Sequence, residues 1–532
     1  MNRLLERLAI GLIACTGITA NIKMVSAETP PDVLVIADRI DSLITLDPAE
    51  SYEFTGSDII RNVYQKLINY YPDDLESGYQ PEIAESWTVS SDGRTITFTI
   101  RDDIKFHSGN PVTSEDAAFS LQRAVILNKT PSSTLTQLGF TPENVRQTIL
   151  ADDDKLMITT DRPYAVSFVL NCLTASIGSI VDRETVMSHE VDGDMGNSWL
   201  KINTAGSGAY SVQSWKPNES VTLQANDGYS HGAPPMKRVV LVHTQESATQ
   251  RLQLQRGDVD IARNLTPDDI AGIESENGIK VEEELKGGLM YVSLNQNHPI
   301  LAKPEVRKAI KYLIDYDAMQ DSFLKGQYRV HQNFIPTSFL GAVDDNPFEL
   351  NVEKARELLE SVGVGELEIE IGVRDVQDRM EIAQSLQNTF AQAGILLEIS
   401  VATAKVNLGR YRARELDVYI GAWGPSYPDP HTNAGTFAYN PDNSLEANAT
   451  GRLTWRNAWD AAGLTEKVER ALTENDREMR IEMYQDIQSG FRDTSPFAIM
   501  FQQSAQTAMR DNVNGFSTGQ AVTYAAFWQV TK

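Results

Sequence analysis

The sequence predicts an α/β protein built from more than one lobe. Residues 290–420 alternate between strand-like and helix-like periodicity. The 532 residues exceed what one ordinary core organises. An apolar content of 41% with 23% charged residues is that of a globular chain rather than a disordered one.

The N-terminus reads as a secretory signal over residues 1–27. Arg3 and Arg7 precede the apolar run LAIGLIACTGITA (8–20), and Val25-Ser26-Ala27 supplies a small-residue exit before Glu28. The run is shorter than the roughly 20 residues of a membrane span. Leu12-Ile13-Ala14-Cys15 also resembles a bacterial lipobox, which would place a lipid on Cys15. DVLVIADRI (32–40) follows as a strand. A helix is expected over Ile59, Ile60, Val63, Tyr64 and Leu67, with Thr55 or Ser57 as its cap. Trp87 and Val89, then Ile96, Phe98 and Ile100, alternate with polar residues around Ser91-Asp92-Gly93, a hairpin pattern. Thr113 and Asp116 have the spacing of a reciprocal helix cap. Two strands joined at Pro217-Asn218 come next, then the strand VVLVHT, the helix 247–257 and the strand DVDIAR.

Pro304 opens a helix expected to run from 304 to 319, because proline is tolerated in a first turn. Asn351 caps a helix that Gly363 stops. Leu367, Ile369, Ile371 and Val373 form a strand, and Ile382, Leu386 and Phe390 mark a helix ending at Gly394. ILLEISV (395–401) and DVYIGAW (417–423) are further strands. In such sheets ligands bind beyond the carboxyl ends of strands. Arg374 and the loop WGPSYPDP (423–430) both follow strand ends.

The formal net charge of −26 argues against a nucleic-acid partner, which would require basic surface. Of the two cysteines, Cys172 would stand alone once the signal is removed, as a small buried apolar residue. The seven histidines show no metal-binding spacing, and no cofactor or metal is expected. No GxSxG elbow or phosphate loop is present, so the sequence carries no positive sign of an enzyme.

The stretch AESWTVSSDGRTITFTIRDDIKFHSGNPVTSEDAAFSLQR (84–123) resembles the peptide/nickel-binding class of solute-binding proteins of bacterial ABC importers, solute-binding protein family 5. GSGAYSVQSW (206–215), RGDVDIA (256–262), PEVRKAIKYLIDYD (304–317) and EKARELLESVG (353–363) support it. The resemblance implies a two-lobed periplasmic binding protein with a hinge and an extra subdomain on the first lobe. The first lobe would gather residues 28–75, 185–262 and 495–532. The extra subdomain would be 76–184, and the second lobe 263–494. The implied role is a periplasmic receptor, a monomer, that captures a short or modified peptide and delivers it to an inner-membrane ABC permease. An opine, a sugar conjugate or a metal chelate is the alternative solute. A secreted hydrolase and a periplasmic chaperone or sensor on the same fold are further alternatives.

Peptide binders of this family place an Asp three residues after the strand-end Trp, where it pairs with the peptide ammonium. Here Trp423 is followed at that position by Ser426, which orients neutral groups but cannot neutralise a charge. Asp429 is either a substitute ligand contact or a turn-stabilising residue. Arg374 matches the family's carboxylate-binding arginine in placement, and Tyr52, Phe54 and Tyr427 are candidate cleft walls.

Overall fold

Two long strands, Ile279–Leu294 and Phe497–Arg510, pair antiparallel through most of their length and carry the architecture. Their register runs from Ile279 opposite Arg510 to Leu285 opposite Ser504, breaks at Lys286-Gly287-Gly288, and resumes at Leu289 opposite Gln502. The break marks the passage between two lobes that share one sheet. The computed structural model describes residues 28–70, 75, 78–519 and 525–532; the signal segment 1–27 and Cys15 lie outside the described residues.

On one side of the break the long pair is flanked by Ile261–Ala262, Val33–Asp38, Arg238–His243, Ser220–Ala225 and Tyr210–Lys216. On the other side it is flanked by Val418–Trp423, Leu367–Arg374 and Ile395–Ala402, with Tyr328–Val330 added to the second long strand. Leu367–Arg374 lies parallel to both of its neighbours, the arrangement expected of strand–helix–strand units. Separate cores form on the two sides. One is built on Leu34, Ile36, Tyr210 and Leu241, and the other on Met290, Val292, Ile371 and Phe390.

A third core belongs to a four-stranded antiparallel sheet made of Ala84–Val89, Thr95–Ile100, Lys155–Thr159 and Ile149–Asp152. Gly93 turns its hairpin at φ +69°. The helix Ser114–Leu127 starts with the reciprocal cap: Thr113 Oγ1 accepts from the Asp116 amide, and Asp116 accepts from the Thr113 amide. Cys172 sits in this core with no exposed surface, and burial pushes its thiol well above the usual range.

Two helices depart from expectation. The first runs Phe54–Val63 with Glu53 at its N-cap, so neither Thr55 nor Ser57 caps it. It stops before Leu67 because the glycine turn 206–208 packs on its end. The Gly208 amide donates to the Val63 carbonyl at 2.8 Å, and a Cβ at Gly206 would come within 2.1 Å of that oxygen. The segment opened by Pro304 is two helices, Pro304–Lys311 and Tyr316–Asp321. Asp315 caps the second by accepting from the Ala318 amide.

The subdomain is tied to the first lobe by a buried ion pair. Arg123 donates Nη1–H and Nη2–H to Asp47 Oδ1 and Oδ2 at 2.8 and 2.6 Å, and Asn197 Nδ2 donates to the same carboxylate at 2.7 Å. Both charges are essentially inaccessible. Removing one partner strands the other in low dielectric. Asp47→Ala is therefore expected to cost about 3–5 kcal/mol, read as a lower urea midpoint at unchanged slope. A loss under about 1 kcal/mol, the scale of an exposed pair, would reject this account.

Candidate ligand-binding site

The strand Val418–Trp423 delivers its terminal residue to the break in the long strands, where Trp423 pairs with Leu289. The indole is half-buried and meets the Phe437 ring edge-on at 5.8 Å. The chain then turns through Gly424, Pro425 and Ser426. These three residues face Ser51, Tyr52 and Ser57 of the first lobe and Pro131, Thr134 and Ser176 of the subdomain across a cavity of about 150 Å³. All three bodies thus contribute to one shared space beside the hinge. Its lining holds six hydroxyl-bearing residues and no carboxylate, amine, guanidinium or imidazole. Ser51 is 2% exposed, and its Oγ finds no hydrogen-bond partner among the described residues. The hydroxyl lies against the Gly56 backbone.

Tyr52 and Ser426, both expected from the sequence, are brought together here. Tyr52 keeps 55% of its surface exposed at the rim. The Phe54 side chain lies outside the described residues. Arg374 ends its strand exposed to solvent and is not among the residues lining this cavity or its neighbours. Tyr427 was expected as a cleft wall. It packs in the subdomain core, where Gln137 Nε2 donates to its hydroxyl at 3.0 Å and Phe168 packs edge-on at 6.2 Å, and it lines the adjoining cavity of about 470 Å³ rather than this one. The prolines at 425 and 428 turn the loop so that Ser426 and Tyr427 are committed to different surroundings.

Asp429 serves the loop, and its inclusion among ligand contacts is corrected on that account. Its side chain has no exposed surface. Arg480 donates Nη2–H to Oδ1 at 2.8 Å and Nη1–H to Oδ2 at 3.1 Å. The His431 amide donates to Oδ1 at 2.8 Å, which caps the helix Pro430–Phe437, and Asn171 Nδ2 donates to Oδ2 at 3.0 Å. With four donors in place, no oxygen is left for a solute. Arg480 spends its remaining donors on the Ala471 carbonyl, Ser167 Oγ and the Tyr484 hydroxyl, so the pair also holds the subdomain against the second lobe. Arg480 and Asn171 lie 51 and 258 residues from Asp429, and no local pattern in the sequence announces them.

Two larger cavities adjoin the loop. One of about 790 Å³ lies between the subdomain and the second lobe, with Asp429 and Arg480 in its wall. It takes no lining from Ser51, Tyr52 or the Gly424–Ser426 turn, which face one another in the smaller cavity. The other, of about 470 Å³, shares Thr134 and Ser426 with the central cavity. Among the described residues no group of three His, Cys, Asp or Glu side chains is placed to hold a metal ion.

Burial alone would raise the Asp429 carboxyl; the Arg480 charge and the hydrogen bonds outweigh it and hold the group below the usual carboxylate range. A folded-state value below the unfolded one stabilises the protein above about pH 4, and this stabilisation is lost as pH falls through the folded value. Asp429→Asn is expected to flatten the acid limb of stability against pH below about 4. Parallel limbs for the variant and the parent would remove Asp429 from the acid transition.

The model of bacterial extracellular solute-binding proteins, family 5 Middle, matches residues 78–444. The chain is 28% identical over 504 residues to the probable D,D-dipeptide-binding periplasmic protein DdpA of Escherichia coli, covering 94% of each chain. It is 23% identical over 474 residues to the dipeptide-binding protein of the same organism, covering 85% of this chain and 86% of that one. Among solved structures, HbpA2 from Haemophilus parasuis superposes with a TM-score of 0.80 at 23% identity, over 94% of this chain and 99% of that one. The peptide-bound periplasmic binding protein DppA from Helicobacter pylori superposes with a TM-score of 0.75 at 22% identity, over 94% and 98%. The fold is that of two-lobed binding proteins, and the chain belongs to the bacterial extracellular solute-binding proteins of family 5.

Proposed function

We propose that this protein is the periplasmic receptor of an ABC importer. It captures a short or modified peptide as the lobes close and hands it to an inner-membrane permease, binding its solute without turning it over. The observation that carries the reading is the cavity of about 150 Å³ to which the first lobe, the subdomain and the post-strand loop all contribute. A solute there touches every moving body at once, which is what ligand-driven closure requires. The volume lies below the ~300–1,000 Å³ of pockets for drug-sized ligands and favours a dipeptide-sized occupant. The relative at 28% identity is named for dipeptides, which supports the same size class. The N-terminal signal 1–27 supports periplasmic delivery, with lipid attachment at Cys15 as the variant. The cores support two lobes and a subdomain, with the lobe bounds lying at the break in the long strands rather than at 263 and 495: Ile270, Ile273 and Ile279 pack with Ala37 and Ala262 on the first-lobe side, and Ala498, Met500 and Phe501 pack with Met290 and Val292 on the other.

A second reading is a non-peptide solute such as an opine. The uncharged, hydroxyl-bearing lining favours it, because nothing there neutralises a peptide ammonium. A structural neighbour with a TM-score of 0.70, AgaA from Agrobacterium tumefaciens ("A.tumefacien R10"), was solved with agropinic acid.

Calorimetry with D,D- and L,L-dipeptides and with opines separates the two. Saturable dipeptide binding at micromolar Kd or tighter, about −8 kcal/mol, is expected. Ser426→Asp should then strengthen binding of free-amine dipeptides about tenfold, by adding the missing counter-charge. Binding of opines alone selects the second reading, and no saturable binding of either class rejects the receptor assignment for both.

A further inference from the structure

The cavity of about 470 Å³ beside Ser426 is flanked by two arginines from opposite bodies, Arg162 from the subdomain and Arg452 from the second lobe. Each is stacked on a tyrosine. The Arg162 guanidinium carbon lies 5.0 Å from the Tyr164 ring centre, and that of Arg452 lies 4.7 Å from Tyr439. The hydroxyl of each tyrosine donates to the acid beside it, Tyr164 to Asp161 at 2.9 Å and Tyr439 to Glu469 at 3.0 Å. The nearby carboxylates are thus satisfied by neutral donors, and neither arginine forms an ion pair with a described carboxylate. Stacking occupies the face of a guanidinium, and the N–H groups that Arg162 does not share with the Tyr164 hydroxyl remain for an acceptor.

We propose that this cavity is the subsite for an anionic end group of the captured solute, a carboxylate or a phosphate, held between Arg162 and Arg452. The inference rests on the receptor reading and deepens it. The uncharged central cavity takes the neutral part of the solute, and the adjoining cavity, reached past Thr134 and Ser426, takes its charge. Glu469 on the lip offsets one of the two positive charges and leaves the lining net positive. His431, in the same wall, is pushed down to about 4 by burial first; Asp429 opposes the shift, while Arg480, Arg162 and Arg452 add to it. It is neutral at ordinary pH and adds no charge of its own. Because the arginines come from bodies that separate on opening, their mutual repulsion opposes closure without an anion, and a bound anion removes it. That difference between liganded and empty states is what couples binding to closure. Arg374, the arginine expected from the family pattern, lines neither cavity.

The test uses paired probes, each an anion with its uncharged counterpart. These are D-Ala-D-Ala and L-Ala-L-Ala with their C-terminal amides, lactate with lactamide, and glucose 6-phosphate with glucose. Thermal midpoint shifts and calorimetry are measured on the full chain and on Arg162→Gln, Arg452→Gln, the double variant and Arg374→Gln. At least one anion should stabilise the parent more than its neutral partner. Each single arginine variant should weaken that anion about tenfold and the double variant more, the scale of losing a charge-assisted hydrogen bond. Lysine at both positions should restore part of the affinity. Unliganded midpoints report whether the variants fold, which the exposed Arg162 and the half-buried Arg452 should permit. Preference for no anion, retained affinity in the double variant, or a loss confined to Arg374→Gln would overturn the proposal. If dipeptide amides bind as well as the acids, the inference falls and the peptide reading stands. If only lactate or glucose 6-phosphate binds, through the two arginines, the inference stands and the peptide reading falls.

Discussion

The buried pair of Asp429 and Arg480 is the constraint from which the site follows. A loop with three prolines leaves the strand at Trp423, and its far end is pinned by a carboxylate whose four donors come from an arginine, an amide and an asparagine. Such a pair contributes little net stability, since desolvation offsets most of the Coulomb gain. Its value is positional. Because an unpaired charge in that place would be costly, the loop has one low-energy seat, and Ser426 is held facing the first lobe. Two of the bonds, to Asn171 and Ser167, cross to the subdomain. These can be exchanged for water on opening at roughly 1 kcal/mol each, while the ionic core of the pair stays within the second lobe. The latch is therefore strong enough to define the closed geometry and weak enough to release.

The hinge applies the same economy. A break at Lys286-Gly287-Gly288 interrupts a ladder of long strands that would otherwise resist bending. Lys286 is buried at the break and donates to Glu284 at 3.1 Å, to the Gly519 carbonyl at 2.6 Å and to Thr518 Oγ1. Burial lowers its pKa, and the Glu284 charge opposes the shift. Nearby, Asp38 and Asp58 both accept from Arg263 Nη1, at 2.9 and 2.5 Å. Bending is thus confined to a few backbone positions, and the flanking charges keep their partners within the first-lobe side of the sheet.

How far the sequence reaches depends on the range of the interaction. The cap of Thr113 and Asp116, the hairpin at Gly93 and the helix start at Asn351 are legible because each rests on residues within a few positions of one another. Cleft residues at strand ends, such as Ser426, are legible because the α/β sheet has a rule for where its ligands bind. Tyr427 and Asp429 were harder: one residue's difference in a proline-bound loop decides which cavity a side chain meets, and the deciding partners, Gln137 and Arg480, are far away in sequence. Arg162 and Arg452 carry no signal in the chain at all. Each sits beside an ordinary tyrosine, and only folding brings the two pairs to one cavity.

A chain with net charge −26 that presents arginines to its solute poses an electrostatic question. At long range the field repels anions, and that should slow their encounter. Screening answers most of this, since the Debye length is about 10 Å at 0.1 M salt. Beyond that distance the net charge is largely invisible, and inside it the local set governs: two stacked arginines, one lip glutamate and a neutral histidine. The acidic surface then keeps the protein soluble without deciding what enters. Selectivity comes from the contrast between the two adjoining cavities, one that offers hydroxyls and no charge and one that offers charge from two bodies at once. A solute uncharged throughout fills the first and leaves the arginines repelling each other. A small anion alone satisfies the second and leaves the first empty. Only a solute with both parts satisfies both, and only with the lobes closed.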